Sequence, residues 1–299
     1  MGAAVRVNLS LDGVLTQLLN GFILGLIYVA IAVGLTIVFG MLRLVNFAHG
    51  AFYSIGAYIG LIVATQYGLV AGLIAAPIAV ALFAVILDRG LLRWFYDKEP
   101  TAQIMVTFGV AIVVEETLRL IFGGSTHRFP LPDALNGSLN LGFVVYPAYR
   151  IGLAFGIVAL ILALWLFIDR TNYGLIVRAG IRDRTMVQLL GGNVRLASTL
   201  IFALGGAVAG LVGAAASPIY SVNPETGFNF LIPSFVVVVV GGLGSFWGAV
   251  LGGILIGELQ SLTTLVAPAA SDIVIYVAMA IVLLLRPSGL MGESEVIKG

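Results

Sequence analysis

The sequence predicts an all-α integral membrane protein, a polytopic helical bundle of about eight or nine membrane segments, some of them broken or re-entrant. Three observations point there. The chain is 60% hydrophobic and only 10% charged, with a mean hydropathy of +1.11. A soluble domain carries about 25% charged residues on average, so lipid must be the main solvent of this one. Apolar runs of membrane length recur from end to end, and what remains between them is too short for a soluble domain. The 299 residues therefore read as one transmembrane domain.

A bilayer core about 30 Å thick takes roughly 20 helical residues at 1.5 Å each. Runs near that size fall at about 14–40, 48–65, 69–87, 101–122, 150–168, 195–216, 231–262 and 271–286. The first is too long for a signal-peptide core and reads as a retained first segment. The second follows a polar interruption, RLVNFAHG, and the third follows it after a short Gly-containing turn. The fourth ends in the charged VEETLRL, and a connector rich in Gly, Pro and Asn separates it from the fifth at 150. Between the fifth and sixth lies an Arg-rich connector, 169–194. The 231–262 run is long for one span and contains GGLGSFWG. Gly241, Gly242, Gly244 and Gly248 weaken a helix there, so two short segments are expected in place of one. A weak echo links VFGMLRLVNFAHGAFYSIGAYIG with VVGGLGSFWGAVLGGILIGEL: each has an apolar run, a break, then small residues.

Basic residues in short loops set orientation. The 88–100 loop carries Arg89, Arg93 and Lys98, and the 169–195 loop carries Arg170, Arg178, Arg182, Arg184 and Arg195. Both are expected in the cytoplasm, as is the tail with Arg286 and Lys298. The 217–230 loop has no basic residue and the 123–149 connector has only Arg128, which puts both outside.

Chemistry is excluded more than it is suggested. There is no cysteine, which removes disulfides, iron–sulfur clusters and cysteine zinc sites. No GxxxxGK[ST], HExxH or GxSxG pattern occurs, so the chain lacks its own ATP-binding loop and reads as a non-enzyme with no cofactor. With 15 basic and 14 acidic residues, charge gives no sign of nucleic acid. Small residues at 205–216 and 248–257 suit close helix packing or a hinge. Glu115 and Arg119 are spaced for an i,i+4 pair, while Glu258 and Asp272 flank a short outer loop and are expected to be solvated.

The 169–194 connector is too polar to span and too long for a turn. Met186, Leu189 and Leu190 recur at i, i+3, i+4, which predicts a short amphipathic helix with Gly191 or Gly192 after its end. With Arg182 and Arg184 it is either a helix on anionic headgroups or a docking surface for a cytoplasmic partner.

RLVNFAHGAFYSIGAYIG resembles the signature of the permease subunits of branched-chain (hydrophobic) amino acid ABC importers. TFGVAIVVEETLRLIFG, TNYGLIVRAGIRDRTMVQLLGGNV, VVVVVGGLGSFWGAVLGG and LLLRPSGLMG match the same family in the same order. Of the two permease types that such systems pair, the chain is similar to the shorter, H type. The resemblance implies an inner-membrane, multi-pass subunit working with a second homologous permease, two cytoplasmic ATPases and a periplasmic substrate-binding protein. ATP and magnesium would sit on the ATPases. It also implies that the Arg182, Arg184, Met186, Leu189 and Leu190 piece is a cytoplasmic coupling helix. The chain departs from the pattern at Ala51, where many relatives are acidic, and at the Gly191–Gly192 pair. Relatives with this signature move urea, short amides or aromatic acids as well as leucine-like amino acids, and those solutes stay open.

The polar interruption then reads as a translocation path or gate. Asn46, His49 and Tyr53 share a face if the segment is helical, and Gly241, Gly242 and Gly244 mark the second break. The alternative is that Asn46 and His49 tie helices together by hydrogen bonds. A stand-alone secondary carrier or channel is the rival class. Proton-coupled carriers bury carboxylates near mid-membrane, whereas the acidic residues here cluster towards segment ends.

Overall fold

Each apolar run forms a helix in the computed structural model, which describes residues 11–292 apart from Arg43, Asp97 and Phe143, with the backbone alone at Arg182 and Arg184. In chain order these are α1 (Leu11–Leu42), α2 (Ala48–Tyr67), α3 (Leu69–Gly90), α4 (Pro100–Phe122), α5 (Ala148–Arg170), α6 (Asn172–Arg182), α7 (Arg184–Leu189), α8 (Val194–Tyr220), α9 (Thr226–Gly241), α10 (Phe246–Val266) and α11 (Ser271–Leu285). Seven of them (α1, α2, α3, α5, α8, α10, and α11 with the 3-10 turn before it) are long and apolar enough to cross a bilayer. α4 adds 23 residues with charges near its C-terminal end, and α9 is a shorter apolar helix of 16 residues. Two short strands, β1 (Ser138–Asn140) and β2 (Val145–Pro147), pair antiparallel in the 123–147 connector. The molecule is a polytopic helical membrane bundle.

Local chemistry sets the helix ends. Thr171, Asp183, Asn193 and Ser245 each cap the helix that follows, accepting a backbone N–H with the side chain. The 231–262 run is two antiparallel helices, α9 and α10, turning at Gly242–Ser245.

α1 is the central helix, and it packs most closely on α10 while α8 packs on α2 and α3. Glycine permits this. A β-carbon at Gly257 would lie 2.4 Å from the Cα of Gly25, and one at Gly56 would lie 2.3 Å from the Cα of Gly210. The small residues therefore act as packing faces, as the small-xxx-small spacing suggests. Outward faces are apolar instead: Val70, Ile74, Ile78, Leu82 and Ile86 make an exposed stripe along α3, the pattern of a helix solvated by lipid.

Charge separates the two ends. Among the described residues, Arg89, Arg93, Lys98, Arg170, Arg178, Arg182, Arg184, Arg195 and Arg286 gather at one end, and Arg119, Arg128 and Arg150 at the other. Lys298 and Arg43 lie outside the described residues. The basic end is tied by a buried carboxylate. Asp88, fully buried at the end of α3, accepts from Thr199 Oγ1 of α8 at 2.6 Å and from the Tyr96 hydroxyl, with Arg93 3.5 Å away. α6 turns back here: Arg178 donates to the Ile168 carbonyl, and Ile181 lies over Gly40 of α1. At the opposite end Arg119 pairs with Glu115 at 2.9 Å, Glu116 at 3.1 Å and Glu225 at 3.0 Å.

Glu258 corrects an expectation. It does not stand at the edge of the outer loop in water but lies within α10, eight residues before that helix ends at Val266. Its Oε2 is buried without a hydrogen-bond partner among the described residues, over the space left by Gly21 of α1.

Candidate translocation site

The RLVNFAHG interruption does not lie at the surface. A β-carbon on Gly34 would lie 3.1 Å from the His49 ring, and Gly34 is eight residues before the end of α1, about 12 Å at 1.5 Å per residue. The chain therefore leaves α1, turns back into the bundle, and starts α2 at depth. Side chains hold part of its backbone. Asn46 Oδ1 accepts from the Ala48 N–H at 3.1 Å, an Asx-type start for α2. Thr107 of α4 accepts from the Phe47 N–H at 3.2 Å, and its hydroxyl lies 3.3 Å from the Val45 carbonyl.

The side chains are not satisfied. Asn46, His49 and Tyr53 are all buried, at 1%, 0% and 1% exposure. Asn46 Nδ2, both ring nitrogens of His49, Tyr53 OH and the nearby Thr36 Oγ1 have no hydrogen-bond partner among the described residues. The Ile31 carbonyl faces the His49 ring without the geometry of a full hydrogen bond. An unpaired buried polar group costs about 1–3 kcal/mol, so a cluster of them calls for a role.

Cavities lie on both sides of this cluster. Towards the basic end, one of about 420 Å³ is walled by Leu35, Phe39, Phe235, Val238 and Leu243, and Asn46 is its polar wall residue. Towards the opposite end, one of about 260 Å³ is lined by Tyr28, Tyr220, Asn223, Asn229, Phe230 and Gln260. An aromatic cluster separates them. Tyr53 stacks on Phe230 at 4.9 Å, Tyr220 meets the same ring edge-on at 5.0 Å, and Tyr28 lies 6.1 Å from it. Nearer the basic end Phe47 stacks on Phe235 at 5.1 Å. From one end of the bundle towards the other there thus follow a polar-rimmed cavity, an aromatic cluster and an apolar cavity.

Asn46, His49 and Tyr53 are thus brought together. Gly241, Gly242 and Gly244 sit elsewhere, forming the α9–α10 turn, where Leu243 between them contributes to the 420 Å³ cavity wall. Gly242 and Gly244 take φ of 108° and 82°. The tail closes this turn: the N–H groups of Leu290 and Met291 donate to the Val240 and Gly241 carbonyls at 2.8 and 2.9 Å. Sequence reasoning missed Tyr28, Tyr220, Phe230 and Gln260. The available signal was a polar or aromatic residue inside an apolar run, as in LIYVAI and GELQSL.

At the basic end, Met186, Leu189 and Leu190 are 52%, 77% and 81% exposed on and just after α7. Asp183 caps that helix by accepting from Met186 N at 2.9 Å, and Gly191 follows at φ 81°. The side chains of Arg182 and Arg184 lie outside the described residues, although their backbone places them at the end of α6 and the start of α7.

A family model described as the permease component of the branched-chain amino acid transport system matches residues 17–283. The high-affinity branched-chain amino acid transport permease BraD of Pseudomonas aeruginosa is 32% identical, over 95% of this chain and 97% of its own length. LivH of Salmonella typhimurium, named for the same system, is 30% identical over 95% and 97%. LivM of Escherichia coli is 28% identical over 78% of this chain and 60% of its own. The chain belongs to the family of branched-chain amino acid transport permeases.

Proposed function

We propose that the chain is one of two permease subunits in an ATP-driven importer of branched-chain or other hydrophobic amino acids, and that it forms half of the translocation path. The basic end faces the cytoplasm, following the loop-charge rule, in a bacterial inner membrane. A periplasmic binding protein delivers the solute at the opposite end. A second homologous permease completes the path, and one of two ATPases docks on α7. ATP and magnesium belong to those ATPases.

The observation that carries this reading is the α7 ridge. Three large apolar side chains stand exposed on a capped helix beyond the membrane segments, flanked by basic residues. Such a ridge has the form of a helix that lies in a partner's groove, with charge to steer and register the contact. A chain without an ATP-binding loop must receive work through such a surface. When ATPase motion pulls α7, its continuation into α8, its neighbour α6 and the Asp88–Thr199 tie carry the displacement to α3, α2 and α1. There the aromatic plug and the unpaired Asn46, His49 and Tyr53 groups lie. Those polar atoms are poised for a passing solute or for partners formed only in another state.

The test uses the complete complex in proteoliposomes with loaded binding protein. Met186→Asp with Leu190→Asp is expected to leave insertion and permease pairing intact. ATPase binding should fall at least tenfold and uptake of leucine should stop, because charge would be buried unpaired in the contact. Unchanged ATPase binding and stimulated hydrolysis would return α7 to the role of a membrane-surface helix.

A further inference from the structure

Among the described residues, Ser221 is the one residue other than glycine with a positive φ. It stands directly after α8 at φ 60° and ψ 173°, a corner of backbone space that a β-carbon makes costly and that glycine alone enters freely. At seven other left-handed positions the chain places glycine, among them the helix ends at Gly68, Gly123 and Gly242. Ser221 therefore carries strain of a kind that the chain avoids elsewhere.

The strained residue lies between two anchors. On one side, the Ser217 hydroxyl of α8 donates to the Gly213 carbonyl at 2.6 Å. On the other, Val222 is fully buried and exchanges backbone hydrogen bonds with His127 at 2.8 and 2.9 Å. Beyond it the Pro224 carbonyl accepts from Ser54 Oγ of α2 at 3.2 Å. Only Pro218–Ser221 is left between the anchors. Pro218 has no N–H, so the last turn of α8 lacks one of its hydrogen bonds. Tyr220, next to the strained residue, lines the 260 Å³ cavity and meets Phe230 edge-on at 5.0 Å.

We propose that Ser221 is the hinge and positioning residue of an outer gate: its strain belongs to the closed arrangement and is released when Pro218–Ser221 swings the Tyr220 ring away from Phe230. This rests on the path proposed above and deepens it by naming the residue that sets how readily its outer end opens. Hinges are a few element-terminal residues that absorb a large change in φ and ψ. Here the turn is short of one hydrogen bond, fixed at both ends, and adjacent to the ring that must move. Strain confined to one state raises that state alone and shifts the equilibrium towards the other. A turn that never changed shape would carry the same strain in every state, and relieving it would stabilise all states alike. Ser221→Gly separates these cases. It removes the strain, so a gate of this kind becomes more stable when closed and slower to open. Ser221→Ala loses the hydroxyl but keeps the β-carbon, and with it the strain.

The test uses the complete complex, cysteine-free but for Asn229→Cys in this chain, tagged with a trifluoromethyl thiol probe. The chain has no cysteine of its own, and Asn229 lines the cavity that Tyr220 walls. Fluorine spectra are recorded at rest and with leucine-loaded binding protein and ATP, where a closed and an open signal are expected. Ser221→Gly should lower the open-to-closed ratio at least fivefold and slow leucine uptake per complex to a similar degree. Its apparent melting temperature should rise by a few degrees. Ser221→Ala should keep the ratio within twofold of the Ser221 complex. A ratio that Ser221→Gly leaves unchanged would make the strain a static property of the turn and overturn the proposal, whatever the melting temperature does. A raised ratio, an equal fall in Ser221→Ala, or a single signal that binding protein and ATP never shift would overturn it too. Neither variant adds bulk, so both should assemble. The signal ratio is read without transport, which keeps the two levels apart. An unchanged ratio with normal uptake by the parent complex sinks the hinge alone, whereas absent uptake of any amino acid by the parent sinks the import reading beneath it.

Discussion

Between α1 and α2 the chain breaks at residues 44–47, and between α9 and α10 it breaks at Gly242–Ser245. In the sequence the two look alike, an apolar run, an interruption, then small residues. In the structure they are satisfied in opposite ways. The second break is closed by backbone. Two glycines take left-handed φ, Ser245 caps α10 by accepting from Gly248 N at 3.1 Å, and the tail occupies the carbonyls of Val240 and Gly241. No side-chain atom of Gly242–Ser245 is among the buried polar atoms left without a partner. At the first break side chains accept from the Phe47 and Ala48 N–H groups, but Asn46 Nδ2 and both His49 nitrogens have no hydrogen-bond partner among the described residues. A fold that can close a break with glycine and backbone has no structural need for a histidine there. On the function proposed above, the second break serves architecture and the first serves the path.

The largest expected effect breaks the second interruption. Gly242 has φ 108°, and a β-carbon on it would lie 2.4 Å from Gly292 N. Gly242→Val therefore meets both left-handed strain, about 1–3 kcal/mol, and a backbone clash that flexible side chains cannot relieve. Folded protein recovered from membranes, followed by fluorescence-detected gel filtration, should fall at least tenfold. Gly244→Ala should be milder, meeting left-handed strain at φ 82° but no clash, because the nearest neighbour of the new atom, the Cα of Gly40, is 3.9 Å away. Normal recovery of Gly242→Val would show that the tail-to-turn contact does not hold this break together.

That contact also marks what the sequence concealed. Segment positions were legible because twenty apolar residues have few alternatives to a membrane helix, and the break in 231–262 was legible because four glycines cluster there. The LLLRPSGLMG stretch, by contrast, stood out only through family resemblance. Its work is done by the N–H groups of Leu290 and Met291, and long-range backbone hydrogen bonds leave no residue-type signal. At the candidate site, Asn46 and His49 were conspicuous as polar residues in an oily run. Tyr28, Tyr220 and Phe230 were not, since an aromatic ring in an apolar run reads as core. Glu258 was misread because a carboxylate near the end of an apolar run reads as facing water; α10 continues to Val266 and keeps the carboxylate within the helix.

The next effect tests the first break as a path. His49→Ala should reduce leucine uptake per assembled complex at least tenfold, about 1.4 kcal/mol, while folded yield changes less than twofold. The ring packs against Gly34 and forms no hydrogen bond among the described residues whose loss would destabilise the fold. Uptake is measured in proteoliposomes and normalised to complex recovered by gel filtration. A complex that falls apart, with normal uptake from whatever survives, would make His49 packing material and erase the distinction between the two breaks.

The smallest effect divides the first break within itself. If the comparison is right, the backbone of residues 44–47 is held as architecture, like the glycine turn, and only its side chains serve the path. Thr107 is the outside group that holds that backbone, 3.2 Å from Phe47 N and 3.3 Å from the Val45 carbonyl. Thr107→Val keeps the shape and strands a buried N–H, which costs about 1–3 kcal/mol. The apparent melting temperature of the purified permease should drop by a few degrees, with uptake per folded complex within twofold of the parent. Thr107→Ser keeps the hydroxyl and should recover most of the loss in melting temperature. Should Thr107→Val instead abolish uptake at an unchanged melting temperature, the hydroxyl would belong to the path with Asn46 and His49. The boundary between scaffold and path would then run through α4 and not through residues 46–49.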